Sequence, residues 1–488
     1  MRKIGVVLAS VALAVGTLFF GSYIGTTNSM RKAKAQIAPA QPNIVFILTD
    51  DMRKDDLKYM PKTEALLQNT GMSFENAFVS NALCCPSRST IMRGQYSHNN
   101  GVWSNSSTDS SSTKSGGWPV YQANGNEADN VATRLHGAGY RTALFGKYLN
   151  GYDNTTYVPP GWDRWFGAFT AGNLHYFDYG VNDQGTITHY GTSASDYSTD
   201  VISRQADAFI SNSASQDTPF FTYVAPIAPH DPATPAPRDA HDYDGISGPR
   251  LPSFNEADVS DKPSWIRQQS KLTSSQISAI NKRHENRVES LQAVDDLVEG
   301  VVHTLNSANA MGNTYVFFTS DNGFHHGEHR IPKQKWRHYE EDIHMPLLVR
   351  GPGVAAGSPT YKLALNTDYL PTFTDLAGAQ SPPYVDGRSL RPVLDGSVSS
   401  WRNAILPEAA ANYSPAYEGI RTISTGGAPT RKYVEYSGGV KELYNLDTDP
   451  YELTSTYNPT TPPSDLVSRL QALKSCAGSG CFTAENGL

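Results

Sequence analysis

Asn43-Ile44-Val45-Phe46-Ile47-Leu48-Thr49 runs uncharged into Asp50-Asp51, and the same pattern returns three times along the chain. Tyr140–Phe145 (YRTALF) leads into Gly146-Lys147, and Pro219–Ala225 (PFFTYVA) leads into Pro229-His230-Asp231. Asn313–Thr319 (NTYVFFT) leads into Asp321-Asn322-Gly323. Short runs that are mostly apolar, without strict alternation, suit strands buried on both faces, as in a parallel sheet. Ligands of such sheets sit beyond the carboxyl ends of the strands. All four predicted strands finish there on charged or metal-capable side chains, so one site fed by all four is expected.

Helical signals lie between the strands. Lys62–Thr70 is predicted helical and ends at Gly71; Ala128–His136 ends at Gly137. A longer helix starts at Thr273, where Thr273 and Gln276 fit a capping box and Ile280, Val288, Leu291, Val298, Val301 and Leu305 recur at helical spacing. The alternation predicts an α/β layered architecture; the expected sheet is large, mixed and mostly parallel, flanked by helices. Beyond Asp386 short strands take over, including Arg431–Tyr436 and Glu442–Asn445, then a helix over Asp465–Lys474. This predicts a smaller C-terminal α+β domain. The expected division is a leader and linker over 1–41, a catalytic domain over 42–385 and the small domain over 386–488. Gly151–Thr199 and Pro226–Pro252 read as long loops, a usual place for binding surfaces.

The 488 residues carry 40 Lys plus Arg against 47 Asp plus Glu, a net −7, which argues against a nucleic-acid partner. A hydrophobic share of 39% excludes global disorder. Mean hydropathy of −0.44 excludes a polytopic membrane protein. Arg2-Lys3 followed by an apolar stretch predicts either a signal peptide or a membrane-anchoring signal segment, and so an exported body. Four cysteines are too few for a disulfide-built scaffold. Cys476 and Cys481 enclose a short flexible loop that a disulfide can close in an oxidising compartment, whereas Cys84 and Cys85 are adjacent and need another explanation.

Leu83-Cys84-Cys85-Pro86-Ser87-Arg88 holds Cys-x-Pro-Ser-Arg. Pro86 suits a first helical turn, and residue 84 would then face the positive end of a helix dipole, which favours an anionic ester. Arg88 comes back toward residue 84 one turn later. The segment resembles the signature of the formylglycine-dependent sulfatases, in the alkaline-phosphatase-like superfamily. The resemblance implies that Cys84 is oxidised to Cα-formylglycine (3-oxoalanine), by a formylglycine-generating enzyme, and hydrates to a diol. It makes Asp50, Asp51, Asp321, Asn322 and an oxygen of residue 84 ligands of Ca²⁺, with Mg²⁺ as the alternative; taken alone, Asp-Asp and Asp-Asn-Gly are ordinary turn sequences.

The same resemblance assigns Lys147 and Lys335 to sulfate binding, with Lys333 a competitor for the second role, and His230 to protonating the leaving alcohol. Many family members carry a histidine two positions after the first lysine; here Leu149 stands there, leaving His98, His325, His326 and His329 as candidate second-step bases. Gly146-Lys147-Tyr148-Leu149-Asn150 and Tyr157-Val158-Pro159-Pro160-Gly161-Trp162 look most like the N-acetylglucosamine-6-sulfatase branch. The expected function is hydrolysis of a 6-O-sulfate on a glucosamine-type sugar of a sulfated glycan. The alternatives are a phosphonate or phosphodiester hydrolase and a catalytically inactive glycan-binding protein. Sequons at Asn105, Asn154 and Asn412 mark candidate glycosylation sites.

Overall fold

A computed structural model describes residues 41–108, 114–170, 175–216, 218–411 and 414–487. The expected leader and Asn412 lie outside them. No helix among the described residues is long and apolar enough to cross a membrane.

The main sheet contains β1 (Asn43–Thr49), β2 (Met72–Phe78), β3 (Arg141–Lys147), β4 (Arg164–Ala168) and β5 (Tyr179–Asp183). It continues with β6 (Thr186–Tyr190), β7 (Phe220–Ala225), β8 (Thr314–Ser320), β9 (Leu347–Arg350) and β10 (Ser358–Leu365). Their order is β10-β2-β9-β8-β1-β7-β3-β4-β5-β6. The run β8-β1-β7-β3-β4 is parallel. β9 opposes both its neighbours, and β5 and β6 fold back as an antiparallel edge. This is the expected mixed, mostly parallel sheet, and the strand pattern marks its parallel centre.

Every residue of β1 is buried. Ile44, Phe46 and Leu48 face one core with Tyr369, Leu370 and Phe373, while Val45 and Ile47 face a second core with Leu291, Val294 and Val298. Each large apolar side chain so buried contributes about 1.5–3 kcal/mol. Helices α1 (Cys84–Arg93), α2 (Val131–Gly137) and α5 (Tyr369–Leu376) contribute to the first core; α3 (Ser198–Ala214) and α4 (Ser274–Ser307) line the second. The capping box at Thr273 forms, with Thr273 Oγ1 accepting from the Gln276 N–H and Gln276 Oε1 from the Thr273 N–H.

Register sets the site. Thr49 pairs with Ser320 across β1 and β8, Ile47 with Val224 across β1 and β7, and Gly146 with Ala225 across β3 and β7. The carboxyl ends therefore finish nearly level, and Asp50, Asp51, Lys147, Asp321 and Asn322 emerge along one edge.

Four expectations need correction. Gly151–Thr199 is not loop throughout, because β4, β5 and β6 lie in it. β6 leaves Thr186, Ile187 and His189 exposed, so no continuous apolar run marks it. The helix over Lys62–Thr70 begins at Pro61 and widens in its second half, where the Asn69 N–H donates to the Glu64 carbonyl. Gly71 serves close packing, not a left-handed cap: a Cβ there would overlap the Val349 carbonyl of β9. After α2 the left-handed turn belongs to Gly139 (φ 88°), not Gly137.

The smaller C-terminal sheet is antiparallel and comprises β11 (Ala404–Ile405), β12 (Glu408–Ala409), β13 (Tyr417–Thr422), β14 (Arg431–Tyr436) and β15 (Lys441–Asn445). Ile420 and Tyr433 pack with Leu466, Leu470 and Leu473 of α6 (Ser464–Leu473) and with Cys481, which is disulfide-bonded to Cys476.

Candidate active site

Leu83, in extended conformation (φ −141°, ψ 140°), precedes α1, and Cys84 is the helix's first residue. Pro86 has no N–H to leave unpaired in that first turn, and the Cys85 N–H donates to Asn105 Oδ1 at 2.9 Å. Cys84 is fully buried. Its Sγ lies 2.7 Å from Lys335 Nζ, 3.4 Å from Asp50 Oδ1 and 3.9 Å from Asp51 Oδ1. Burial, and next the Asp50 charge, push the thiol up to about 12. An unmodified Cys84 is thus protonated at neutral pH and a poor nucleophile.

Asp51 adopts φ 67°, a left-handed conformation that costs a non-glycine residue about 1–3 kcal/mol. That backbone geometry is held on every side. The Asp51 N–H donates to Asp321 Oδ1 at 3.0 Å, and its carbonyl accepts from Arg287 Nη2 at 2.5 Å. Asp51 Oδ1 accepts from Asn322 Nδ2 at 2.6 Å and from Lys335.

Lys147, also fully buried, pairs with Asp50. Burial opposes the Asp50 carboxylate, but Lys147, then His230 and Arg88, outweigh it and hold Asp50 well below the usual range. Asp321 goes the other way: burial and the neighbouring Asp50 charge raise it to about 6. Arg88 donates through Nε to Asp321 Oδ2 at 2.7 Å and through Nη1 to the Lys147 carbonyl at 3.0 Å. Its buried Nη2 lies 3.7 Å from Asp50 Oδ2 and has no hydrogen-bond partner.

His230 Nδ1 meets the Asp231 carbonyl at 2.7 Å, which directs Nε2 toward Asp51 Oδ2, 3.6 Å away. Burial, with help from Lys335 and Lys147, lowers its pKa against the pull of Asp51 and Asp50. A cavity of about 760 Å³ opens here, lined by Asp51, His230, Asp231, Arg283, Lys333 and Lys335.

The two competing lysines separate. Lys335 touches Cys84 and Asp51, whereas Lys333 pairs with Asp231 at 2.5 Å. The substitute histidines lie elsewhere: His98 on Glu408 at 2.9 Å, His325 on Asp342 at 2.6 Å and His329 on Glu256 at 2.7 Å. His326 is buried, with neither ring nitrogen hydrogen-bonded. Leu149 packs in the apolar cluster with Tyr148, Tyr152 and Trp165.

The donor set fits a hard divalent cation. Asp50, Asp51, Asp321 and Asn322 are all buried and carry side-chain oxygens, and Asn322 Oδ1 is buried without a hydrogen-bond donor. Ligand atoms of Asp50, Asp51, Cys84 and His230 lie within 4.8 Å of one another.

Arg287 and Asn105 also shape the site, in roles that the sequence does not show. Arg287, fully buried in α4, donates Nη1 to the Pro229 carbonyl at 3.0 Å besides its bond to Asp51. Asn105 steadies the start of α1. A charged residue in the middle of the apolar stripe of α4 was the available signal for Arg287.

A family model described as Sulfatase matches residues 42–379. The chain belongs to the sulfatase family. A second model, described as N-sulphoglucosamine sulphohydrolase, C-terminal, matches residues 327–474 of this sulfatase. The N-acetylglucosamine-6-sulfatase of Homo sapiens is 33% identical over 488 residues, covering 91% of this chain and 86% of that protein. The extracellular sulfatase SULF-1 homolog of Drosophila melanogaster is 37% identical over 364 residues, and the match takes in 72% of this chain but only 31% of that longer protein. One solved structure, a protein in complex with its substrate D-glucosamine-2-N,6-O-disulfate, matches in fold with a TM-score of 0.74 at 24% identity, covering 88% of this chain and 97% of that one.

Proposed function

We propose that the chain hydrolyses a sulfate monoester, a 6-O-sulfate on a glucosamine-type sugar of a sulfated glycan, with residue 84 oxidised to formylglycine. One observation carries this reading: Cys84 Sγ lies 2.7 Å from Lys335 Nζ and 3.4 Å from Asp50, in the buried cluster beside the cavity that His230 lines. The likeness to N-acetylglucosamine-6-sulfatase over most of both chains supports the sugar. Hydrated formylglycine supplies a nucleophilic hydroxyl at this position. Asp50, Asp51, Asp321, Asn322 and that residue would hold Ca²⁺, or Mg²⁺ in its place; a bound divalent cation acidifies a hydroxyl and stabilises charge on sulfuryl oxygens.

The chain's own groups do the rest. Lys147 and Lys335 bind the sulfuryl oxygens and neutralise charge as the sulfur–oxygen bond breaks. Arg88 and the Asp51 N–H orient Asp321. The Asp231 carbonyl fixes the His230 ring so that Nε2 can donate a proton to the departing sugar oxygen. An anionic ester between the lysines offsets their repulsion and favours the imidazolium that this donation needs. Export belongs to the same proposal and is supported by the Cys476–Cys481 disulfide, because such bonds persist in oxidising compartments.

The test is sulfate release, followed by ion chromatography, from sulfated mono- and oligosaccharides by protein matured with a formylglycine-generating enzyme. Release from 6-sulfated glucosamine supports the proposal. Release only from another position removes the sugar assignment and leaves the chemistry; faster hydrolysis of a phosphodiester overturns the choice of sulfate.

A further inference from the structure

Lys333 and Lys335 stand two residues apart and line the same cavity, yet they do different work. The Lys335 side chain is 13% exposed and is engaged by Asp51 and Cys84; that of Lys333 is 53% exposed and pairs with Asp231. Arg283, from the first half of α4, lines the cavity beside them. Its Nη1 donates to the Pro332 carbonyl at 2.9 Å, while its Nε is 3.8 Å from Asp231 Oδ2, beyond hydrogen-bond reach. A guanidinium has five N–H donors, so four of these have no protein acceptor among the described residues. At the outer part of the cavity one carboxylate, Asp231, therefore serves two cations, and the lysine has already claimed it. What remains is a half-buried planar fork, shaped to take a carboxylate or sulfate through two parallel bonds.

We propose that Arg283, with Lys333, forms a second oxyanion subsite, so that the preferred substrate carries a further sulfate or carboxylate on the reacting sugar or the one next to it. The inference rests on the sulfate-ester reading above and names its substrate class: a sugar with two anionic groups. One of these reacts. The other is held in place at the fork and limits how the sugar can lie over His230.

Binding to the full chain carrying Cys84→Ala tests this without requiring turnover. Calorimetry compares N-acetylglucosamine 6-sulfate with glucosamine N,6-disulfate, the sulfate source, and with a uronate-linked N-acetylglucosamine 6-sulfate disaccharide, the carboxylate source. At least one dianion binds about tenfold tighter than the monoanion, and the tighter one identifies the source. Adding Arg283→Gln brings the affinity ratio close to one. Lys333→Gln, at an exposed position that folding tolerates, lowers the same ratio. Equal affinity for all three sugars, no binding of any, or a ratio unmoved by Arg283→Gln overturns the subsite. Retained discrimination with no sulfate release by the matured wild type would instead remove the hydrolase reading and leave the subsite.

Discussion

Replacing Arg287 with methionine should unsettle two catalytic turns at once. The guanidinium is fully buried in α4, donates to the Pro229 carbonyl at 3.0 Å and to the Asp51 carbonyl at 2.5 Å, and lies 3.6 Å from Asp56. It thus ties the turn after β1, which carries Asp51, to the turn after β7, which carries His230. Methionine keeps the apolar stem and leaves two buried carbonyls unbonded. A hydrogen bond to a charged group contributes about 1.5–3 kcal/mol, so the gross loss is about 3–6 kcal/mol. Release from burying the guanidinium offsets part of this, while buried Asp56 loses a neighbouring cation, giving a net destabilisation of about 2–4 kcal/mol. Urea unfolding reads it as a lower midpoint at unchanged slope. In the protein that remains folded, hydrolysis of the sugar sulfate falls about 100-fold, because the leaving alkoxide needs the His230 proton. Hydrolysis of an activated aryl sulfate, whose phenolate leaves unprotonated, falls about tenfold or less. Arg287→Lys, which can restore one bond, falls between. An unchanged urea midpoint, or an equal loss on both substrates, refutes the positioning role.

Lys335→Ala removes the partner of both Cys84 and Asp51 and should lower kcat about 10²–10³-fold in steady-state assays of sulfate release; a change confined to KM contradicts a role in stabilising developing charge. Ca²⁺ at 100 times its Kd should stabilise the fold by about 2.7 kcal/mol in thermal unfolding, and Asp51→Asn should abolish that shift; the same shift in the variant would place the ion elsewhere. Burial works against the charged form of His98, but Glu408 at 2.9 Å outweighs it and raises the imidazole to about 9. The folded value exceeds the unfolded one of about 6.5, so the pair's contribution is full below that pH and vanishes as pH rises through 9, a loss of up to about 3 kcal/mol. The difference in urea midpoint between wild type and His98→Gln should shrink over that interval; a difference that widens contradicts it.

The legible parts of the fold were those whose signals are local. β1, β3, β7 and β8 fall within two residues of their expected bounds because each is a nearly continuous buried run. β5 and β6 are not legible in the sequence, because an edge hairpin with one wet face carries no such run. The residues after the strands were readable as types but not as neighbours. Asp51 and Asp321 are 270 residues apart, and only the β1–β8 register puts the Asp51 N–H on the Asp321 carboxylate. The distinction between Lys333 and Lys335 depends on how one loop lies against Asp231 and Asp51, which spacing alone does not encode. Arg287 was hidden for a related reason: a charged residue on a long helix usually faces water, and its burial follows from the two carbonyls it must reach.

The most direct test of the central claim is tandem mass spectrometry of the peptide spanning Leu83 to Arg88, taken from protein preparations graded by sulfate-releasing activity. The account predicts an aldehyde or its hydrate in place of the Cys84 thiol, with activity proportional to the converted fraction. Full activity from a preparation in which residue 84 still carries its sulfur would contradict it.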